Sequence, residues 1–450
     1  MAINPPNIIL VVFDTMRRDA LGCYSGSNNT PNIDNFAKES IVFRNAISPS
    51  SWTIPSHASL FLGKYPSEHG MHETPSTEYA NLAKNKLLPK TGNFIYSLKK
   101  YGFNLIGYSA NFWVSPQNGF DYGFNNFFNF DDRGLSIENK AIMLEQLQDS
   151  RKLISKHDFI SLINNYKLYK REYSRSKAHG YPLVKSGRNI IEMIMNSSIE
   201  KPFFLFINLV EMHEPYTNKE MKPSSQFLGQ SPISDFIGIK TYSNGFMNKA
   251  KEIYFNKCAN ESDYLFSKLV KFLKDSNAYD DSLMILTSDH GQGFKEKGFY
   301  THGRFLFDEL IEIPLIMKFP KNYSYEGHSE QGYQSLVDIG EFILQAAEGV
   351  NAIDSLNKQK VFSESFGAGT KLNGKENLNI TEKFKTLNSE YKTIYKNKYK
   401  LTWNMSNGSP SEFKKMGKEI SITNSQEFED LKNELEIFSG VNDLHHVAEN

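Results

Sequence analysis

NIILVVFD, Asn7–Asp14, is an uninterrupted apolar run that stops on a carboxylate. Two later stretches repeat the arrangement. FFLFINLVEMH (Phe203–His213) runs into Glu211 and His213, and SLMILTSDH (Ser282–His290) runs into Asp289 and His290. Runs of this kind, rich in β-branched and aromatic residues and lacking polar alternation, are expected where a strand is buried on both faces, as in a parallel sheet covered by helices. Helix-period segments lie between them. The expected fold class is therefore α/β, a doubly wound, mostly parallel central sheet flanked by helices. In open sheets of that kind ligands bind beyond the carboxyl ends of the strands. The three polar clusters should then lie on one edge and converge on one site.

Composition limits what that site serves. The chain has 450 residues, 39% of them apolar and 13% aromatic, enough to bury a large core and, by length, to form two or three domains. Lys+Arg and Asp+Glu each total 51, so no global field selects a nucleic acid polymer, a membrane surface or a polyanion, and binding depends on a local site. Cys23 and Cys258 are the only cysteines, too few for a disulfide framework or a thiolate metal site, and a reducing compartment fits them. The first apolar run breaks at Asp14, too short for a signal peptide or a membrane span. The chain given reads as cytoplasmic, with no membrane span.

SWTIPSHASLFLGKYPSEHG, Ser51–Gly70, supplies the candidate nucleophile. Pro55 suits the first turn of a helix, Ala58, Leu60, Phe61 and Leu62 give it an apolar side, and Gly63 is a natural stop. Thr53 then sits at or just before the helix start. There the free backbone N–H groups and the positive dipole end favour a tetrahedral oxyanion. His57, four residues on, shares a helix face with Thr53 and is expected to act with it as a catalytic residue, holding oxygens of the same ligand. Asp14, Asp289 and His290 are hard oxygen and imidazole ligands suited to a divalent cation (Ca, Mg, Mn or Zn), and Thr53 completes the set. A cation-bound alcohol loses its proton readily and becomes a nucleophile near neutral pH. Taken singly, Thr53 also fits a simple N-cap and Asp289-His290 a hydrogen-bonded core pair; the joint pattern favours the metal site.

Four stretches in this order, DTMRRDALGCYSGSNNTPNIDNFAKESIVFRNA, WTIPSHASLFLGKYPSEHG, NLVEMHEPY and LTSDHGQGFKEKGFYTHGRFLFDELIEIPLI, resemble the sulfatase-like branch of the alkaline phosphatase superfamily over about residues 5 to 350. The resemblance implies an alkaline phosphatase-like core with a metal at its strand ends and a smaller C-terminal α+β subdomain. It makes Asp14, Asp289 and His290 metal ligands, Thr53 the nucleophile touching the metal, His213 a substrate-side histidine, and His302 a residue near the leaving group. Asn111, Glu211 and Arg304 are expected on the substrate.

Departures from the family pattern point to the chemistry. Sulfatases carry Cys or Ser in C/S-x-P-S-R, converted to formylglycine, whereas this chain has Thr53-Ile54-Pro55-Ser56-His57, and Thr cannot become that aldehyde. The family's paired Asp is reduced to Asp14-Thr15 and its arginine to His57. Thr-x-Pro-x-His followed by YPxxHG is more similar to the nucleotide pyrophosphatase/phosphodiesterase relatives, and a Thr nucleophile also occurs in phosphoglycerol and phosphoethanolamine transferases. The expected activity is a metal-dependent hydrolase acting on a phosphate mono- or diester or a phosphonate ester, carried by a small molecule, glycan or lipid. The alternatives are a sulfuric ester hydrolase, a phosphoryl transferase to an alcohol, and an inactive metal-binding relative. One metal site is expected. On a strand Glu211 and His213 would share a face, which permits a second metal with His302 or a pair of substrate ligands.

The remaining expectations concern organisation. A catalytic unit at 1–350 would carry a helical insertion at about 131–200, and a small subdomain would occupy 351–450. NYKLYKREYSRSK, Asn165–Lys177, packs five cations among tyrosines and reads as a solvated helix face, or as a lid attracting an anionic substrate. VDIGEFILQAAEG (Val337–Gly349) is an amphipathic helix, YKTIYKNKYKLTW (Tyr391–Trp403) a hairpin about Lys396-Asn397, and SQEFEDLKNELEIF (Ser425–Phe438) a helix.

Overall fold

The computed structural model describes residues 5–72, 88, 92–130, 185–214, 216, 244–322, 332–350, 352–367, 389–421, 425–441 and 444. Its main sheet has seven strands: β1 (Asn7–Phe13), β2 (Ile41–Phe43), β3 (Asn104–Ser109), β4 (Asn126–Asn129), β5 (Phe203–Leu209), β6 (Ser282–Ser288) and β7 (Leu315–Lys318). They lie in the order β2-β7-β6-β1-β5-β3-β4. The pairs β6-β1, β1-β5, β5-β3 and β3-β4 are parallel, and β7 runs antiparallel to both β6 and β2.

All three quoted apolar runs are buried on both faces. In β1 the alternation shows why no polar residue is tolerated. Ile8, Leu10 and Val12 enter one core with Ile54, Ala58 and Phe61 of α2 (Thr53–Leu62) and Phe342 and Ile343 of α5 (Ile339–Ala347). Ile9, Val11 and Phe13 enter the other, with Phe36 of α1 (Pro31–Lys38), Ile190 of α3 (Gly187–Met195) and Phe266 of α4 (Ala259–Asp275). A two-residue side-chain period thus splits one strand between two helical layers. Full burial of a Leu or Phe is worth about 1.5–3 kcal/mol, so a polar residue inside these runs would lose that term and add a desolvation cost.

A second, antiparallel sheet runs in sequence order through β8 (Lys360–Ser365), β9 (Tyr391–Lys396), β10 (Tyr399–Asn404), β11 (Ser409–Lys415) and β12 (Lys418–Glu419). Helix α6 (Gln426–Ser439) lays Phe428, Leu431 and Leu435 on Leu401, Trp403 and Phe413. The hairpin turn falls on Asn397-Lys398, one residue later than expected, and both residues have positive φ, 52° and 68°. That pairing matches the right-handed twist of the flanking strands. The first strand of this sheet touches the core directly: Glu364 N–H donates to Pro49 O at 2.9 Å and Ser50 Oγ to Glu364 O at 2.8 Å. The basic stretch 165–177 and most of the insertion expected at 131–200 lie outside the described residues; the described part, 185–200, holds α3. Among the described residues no helix is long and apolar enough to cross a membrane.

Candidate active site

Register places the candidate residues together. Phe13 lies opposite both Leu209 and Ser288, so β1, β5 and β6 end at one level, and β3, parallel to β5, ends beside them. Asp14, Asp289 and His290 follow β1 and β6 directly, and each offers a ligand atom within 4.8 Å of the others. Two carboxylates so close can share one ion through oxygen bonds of about 2–2.6 Å. Thr53 is the first residue of α2, and its Oγ1 lies 3.4 Å from His290 Nε2. The N–H groups of Thr53 and Ile54 precede the first intrahelical acceptor, and Pro55 has none. Gly63 closes the helix at φ 65°. The short turn behind it, Pro66–His69, is tied back to the helix by a 3.0 Å bond between His69 Nε2 and Ser59 Oγ.

The pocket is buried and its charges are unbalanced. Asp14, Asp289 and His290 are fully buried. His290 Nδ1 donates to Gly291 O at 2.9 Å, which leaves Nε2 as the lone-pair nitrogen, 3.4 Å from Asp289 Oδ2 and 3.8 Å from Asp14 Oδ1. Asp289 Oδ1 accepts the N–H groups of Thr15 (3.2 Å) and His290 (2.8 Å). Asp14 Oδ1 and Asp289 Oδ2 are buried without a hydrogen-bond donor. Among the described residues no lysine or arginine pairs with either carboxylate. Burial, with Asp289 beside it, raises the Asp14 carboxyl to about 6, and burial raises Asp289 to about 7. Burial also lowers His290. Two orphaned carboxylate oxygens and an imidazole lone pair in a water-poor site fit a divalent cation, which would supply the missing positive charge.

Two of the expected site residues, His57 and Asn111, are engaged within the protein. His57 is fully buried: its Nδ1 donates to Thr53 O at 3.0 Å and lies 3.4 Å from Asp289 Oδ2, while Nε2 accepts from Asn208 Nδ2 at 3.3 Å. Phe120 and Phe206 enclose the ring edge-on, and burial lowers it to about 3. A neutral imidazole with both nitrogens engaged braces α2 against the pocket, so the expectation that His57 grips substrate oxygens gives way to that placement. Asn111 Nδ2 donates to Asp14 Oδ2, and its Oδ1 accepts from Trp113 N–H at 2.7 Å. It holds the Asp14 carboxylate. Arg304 is fully buried and stays with the site: burial, then His290, His213 and the Arg304 charge, hold His302 well below its ordinary value.

Glu211 also turns away, for a reason the strand reading did not include. β5 ends at Leu209, and a tight turn follows, closed by His213 N–H to Val210 O at 3.0 Å. Strand alternation does not extend past it. The Glu211 carboxylate accepts from Gly187 N–H at 3.0 Å at the start of α3, and Lys185 Nζ donates to the carbonyls of Glu211 and His213. Glu214 takes the place expected of Glu211. With His213 and His302 it forms a second group whose ligand atoms lie within 4.8 Å. The His302 ring centroid is 4.5 Å from that of His290 and 5.1 Å from that of His213. Gln292, fully buried, joins this group: its Nε2 donates to Glu214 Oε2 at 2.9 Å, and its Oε1 accepts from His302 Nδ1 at 2.8 Å. Because the amide hydrogens face the carboxylate, its oxygen faces the imidazole, and His302 Nε2 is left as an acceptor.

Known proteins place the arrangement. The chain is 22% identical over 400 residues, 80% of its own length and 75% of the other's, to the uncharacterized sulfatase YidJ of Escherichia coli. It is 23% identical over 359 residues to an N-acetylglucosamine-6-O-sulfatase of Bacteroides thetaiotaomicron, covering 70% of this chain and 63% of that protein, less than two thirds of its length. The phosphonate monoester hydrolase of Agrobacterium radiobacter superposes with a TM-score of 0.61 over 96% of this chain and 95% of its own, at 14% identity, a likeness of fold. A family model described as Sulfatase matches residues 6–350, more than half of the chain and every strand end of the pocket. The chain belongs to the Sulfatase family.

Proposed function

We propose that the protein is a metal-dependent ester hydrolase that uses Thr53 as its nucleophile on a phosphate mono- or diester or a phosphonate ester. The observation that carries this reading is the position of the Thr53 hydroxyl, at a helix N-terminus and 3.4 Å from the lone-pair nitrogen of His290, beside two orphaned carboxylate oxygens. Asp14, Asp289 and His290 would hold a divalent cation, which when bound lowers the pKa of the hydroxyl and polarises the ester. The N–H groups of Thr53 and Ile54 would receive a non-bridging oxygen, where charge is present throughout the transfer. His57, through its bonds to Thr53 O and Asn208, keeps the helix start in place. Attack would break the bond from phosphorus to the ester oxygen, which departs as the alcohol with the proton given up by Thr53, and leave a phosphothreonine. Water would displace the Thr53 oxygen in a second in-line step, its proton returning to that oxygen as the hydroxyl re-forms; His302, held a weak base by burial, keeps Nε2 as a hydrogen-bond acceptor. Alternatively, His213, Glu214 and His302 would hold a second cation on the leaving-group side, in which case the water would be activated by that ion and not by His302 Nε2. The catalytic unit would span 1–350, with 351–450 packed against it.

A sulfuric ester substrate is the second reading, favoured by the family match and by the sulfatase names of the relatives. Against it stands Thr53 where the family's formylglycine precursor is expected. A glycan ester enters on the same ground, since one relative is named for a sugar. A small-molecule or lipid ester stays with it, as does transfer to an alcohol in place of water.

The deciding experiment compares matched aryl phosphate, phosphodiester, phosphonate and sulfate esters with several divalent ions. Phosphorus esters should turn over faster. Thr53→Ala should lower that rate roughly 10³-fold or more while the protein retains its metal. Sulfate turnover equal to or faster than phosphate would install the second reading.

A further inference from the structure

Asp14 stands at the head of a turn whose next residue, Thr15, has a φ of 60°. The left-handed region is a strained place for a β-branched residue and persists only where the surroundings over-determine it. Here four bonds do so. Thr15 N–H donates to Asp289 Oδ1 at 3.2 Å, and Met16 N–H donates to Ser288 Oγ at 2.9 Å. The other two come from one hydroxyl: Tyr254 Oη donates to Thr15 O at 2.7 Å and accepts from Arg17 N–H at 2.7 Å. Of the residues making these four bonds, Tyr254 alone lies outside the β1 and β6 ends.

Tyr254 reaches the turn from a π-helical stretch, Ile253–Cys258, set between the helix Asn244–Glu252 and α4. Widened turns of this kind break the 3.6-residue register and are frequent at functional sites. The side chain is fully buried, with Tyr216 and Phe294 at ring separations of 5.7 and 5.0 Å. Burial keeps its phenol protonated far above neutral pH, so the O–H remains a donor. The consequence passes through Thr15: the residue whose carbonyl Tyr254 holds is the one whose N–H holds Asp289 Oδ1 and leaves Oδ2 open.

We propose that Tyr254 is a positioning residue, which clamps the strained Thr15 turn and thereby sets the Asp14 and Asp289 carboxylates for a divalent cation. The proposal rests on the reading of that pocket as a cation site. It is tested by titrating metal-free protein calorimetrically with Mn²⁺, Ca²⁺ and Zn²⁺, using the ion the wild type binds most tightly, and by melting the metal-free forms. Tyr254→Phe should weaken that ion about 10- to 100-fold, the range for loss of a residue that orients a ligand, with the metal-free melting temperature little changed. Thr15→Gly in the same background should recover part of the affinity, because glycine adopts the left-handed conformation without a clamp. Wild-type affinity in Tyr254→Phe, or no recovery with Thr15→Gly, would overturn the positioning role. A metal-free Tyr254→Phe protein that has lost its fold would assign the hydroxyl to stability and overturn it as well. A wild type that binds none of the three ions would instead overturn the cation reading beneath it.

Discussion

At the ends of β1 and β6 two buried carboxylates, Asp14 and Asp289, have no cationic side chain paired with them among the described residues. Where the C-terminal sheet meets the segment after the site, two other carboxylates, Asp308 and Glu412, alternate with two buried lysines in a closed ring. Lys400 lies 2.7 Å from both carboxylates and Lys414 lies 2.6 Å from both. Burial acts on both groups, and the outcomes are opposite. It raises Asp14 and Asp289 to about 6 and 7. At Asp308 burial pulls the same way, but Lys400 and Lys414 outweigh it and hold the carboxyl well below its ordinary value. The ring is complete within the chain. The pocket is complete only with something positive that no lysine or arginine among the described residues supplies, and that difference separates a structural charge cluster from a site.

Metal removal is the strongest way to break this comparison. Chelation should reduce turnover to background, and the melting temperature should fall with it, because an ion present at a hundred times its dissociation constant contributes about 2.7 kcal/mol. Restoring a divalent ion should recover both. Full activity and an unchanged melting curve after exhaustive dialysis against chelator would show the pocket to be as self-sufficient as the ring.

Paired substitutions sharpen the contrast with two stability changes of opposite sign. Asp308→Asn leaves two buried lysines facing one glutamate and should destabilise the protein by about 3–5 kcal/mol, with or without metal. Asp289→Asn in metal-free protein at pH 8 removes a charge with no partner, and its amide can donate to His290 Nε2. It should stabilise that form by about 2 kcal/mol while abolishing the gain from added metal. Denaturant melts of the four combinations measure both signs, and a destabilised metal-free Asp289→Asn would refute the idea of an unbalanced pocket.

The two regions also differ in how far their residues could be read from the chain. The pocket was legible because each ligand ends an apolar run, and a run buried on both faces fixes where its last residue points. The parallel core, the Thr53 helix and its Gly63 stop followed from the same local signals. What escaped depends on contacts distant in sequence. Glu214 was missed because β5 stops at Leu209, and in a turn the two-residue period no longer assigns a face. Gln292 and Tyr254 carry no motif; their roles come from bonds to Glu214 and His302 and to Thr15 and Arg17. His57 lay on the expected helix face, but helix periodicity says nothing of Asn208, which takes its outer nitrogen. The lysine ring was invisible for the same reason, since Asp308 and Glu412 meet only through the tertiary fold.

The two regions should also differ in the direction of their pH dependence. In metal-free protein the folded-state values of Asp14 and Asp289, about 6 and 7, lie above the ordinary 3.8. The folded form therefore holds protons more tightly than the unfolded one. The stability from these groups is fully present below about pH 4 and is lost as pH rises towards 7. Asp308 has the opposite sign, because its folded value is depressed: its contribution is present above about pH 4 and lost as pH falls. Each proton taken up by one state alone gives a slope of about 1.4 kcal/mol per pH unit. Other buried carboxyls, Glu211 among them at about 7, add to the wild-type curve, so the informative quantity is the difference between wild type and Asp289→Asn. Across pH 4 to 7 the metal-free wild type should lose stability faster than the variant. Saturating metal should remove that fall and bring in a loss at low pH, where protons compete with the ion for the same oxygens. Parallel metal-free curves for the two proteins would mean that Asp289 titrates as an ordinary carboxylate, and the distinction between pocket and ring would fail at its electrostatic root.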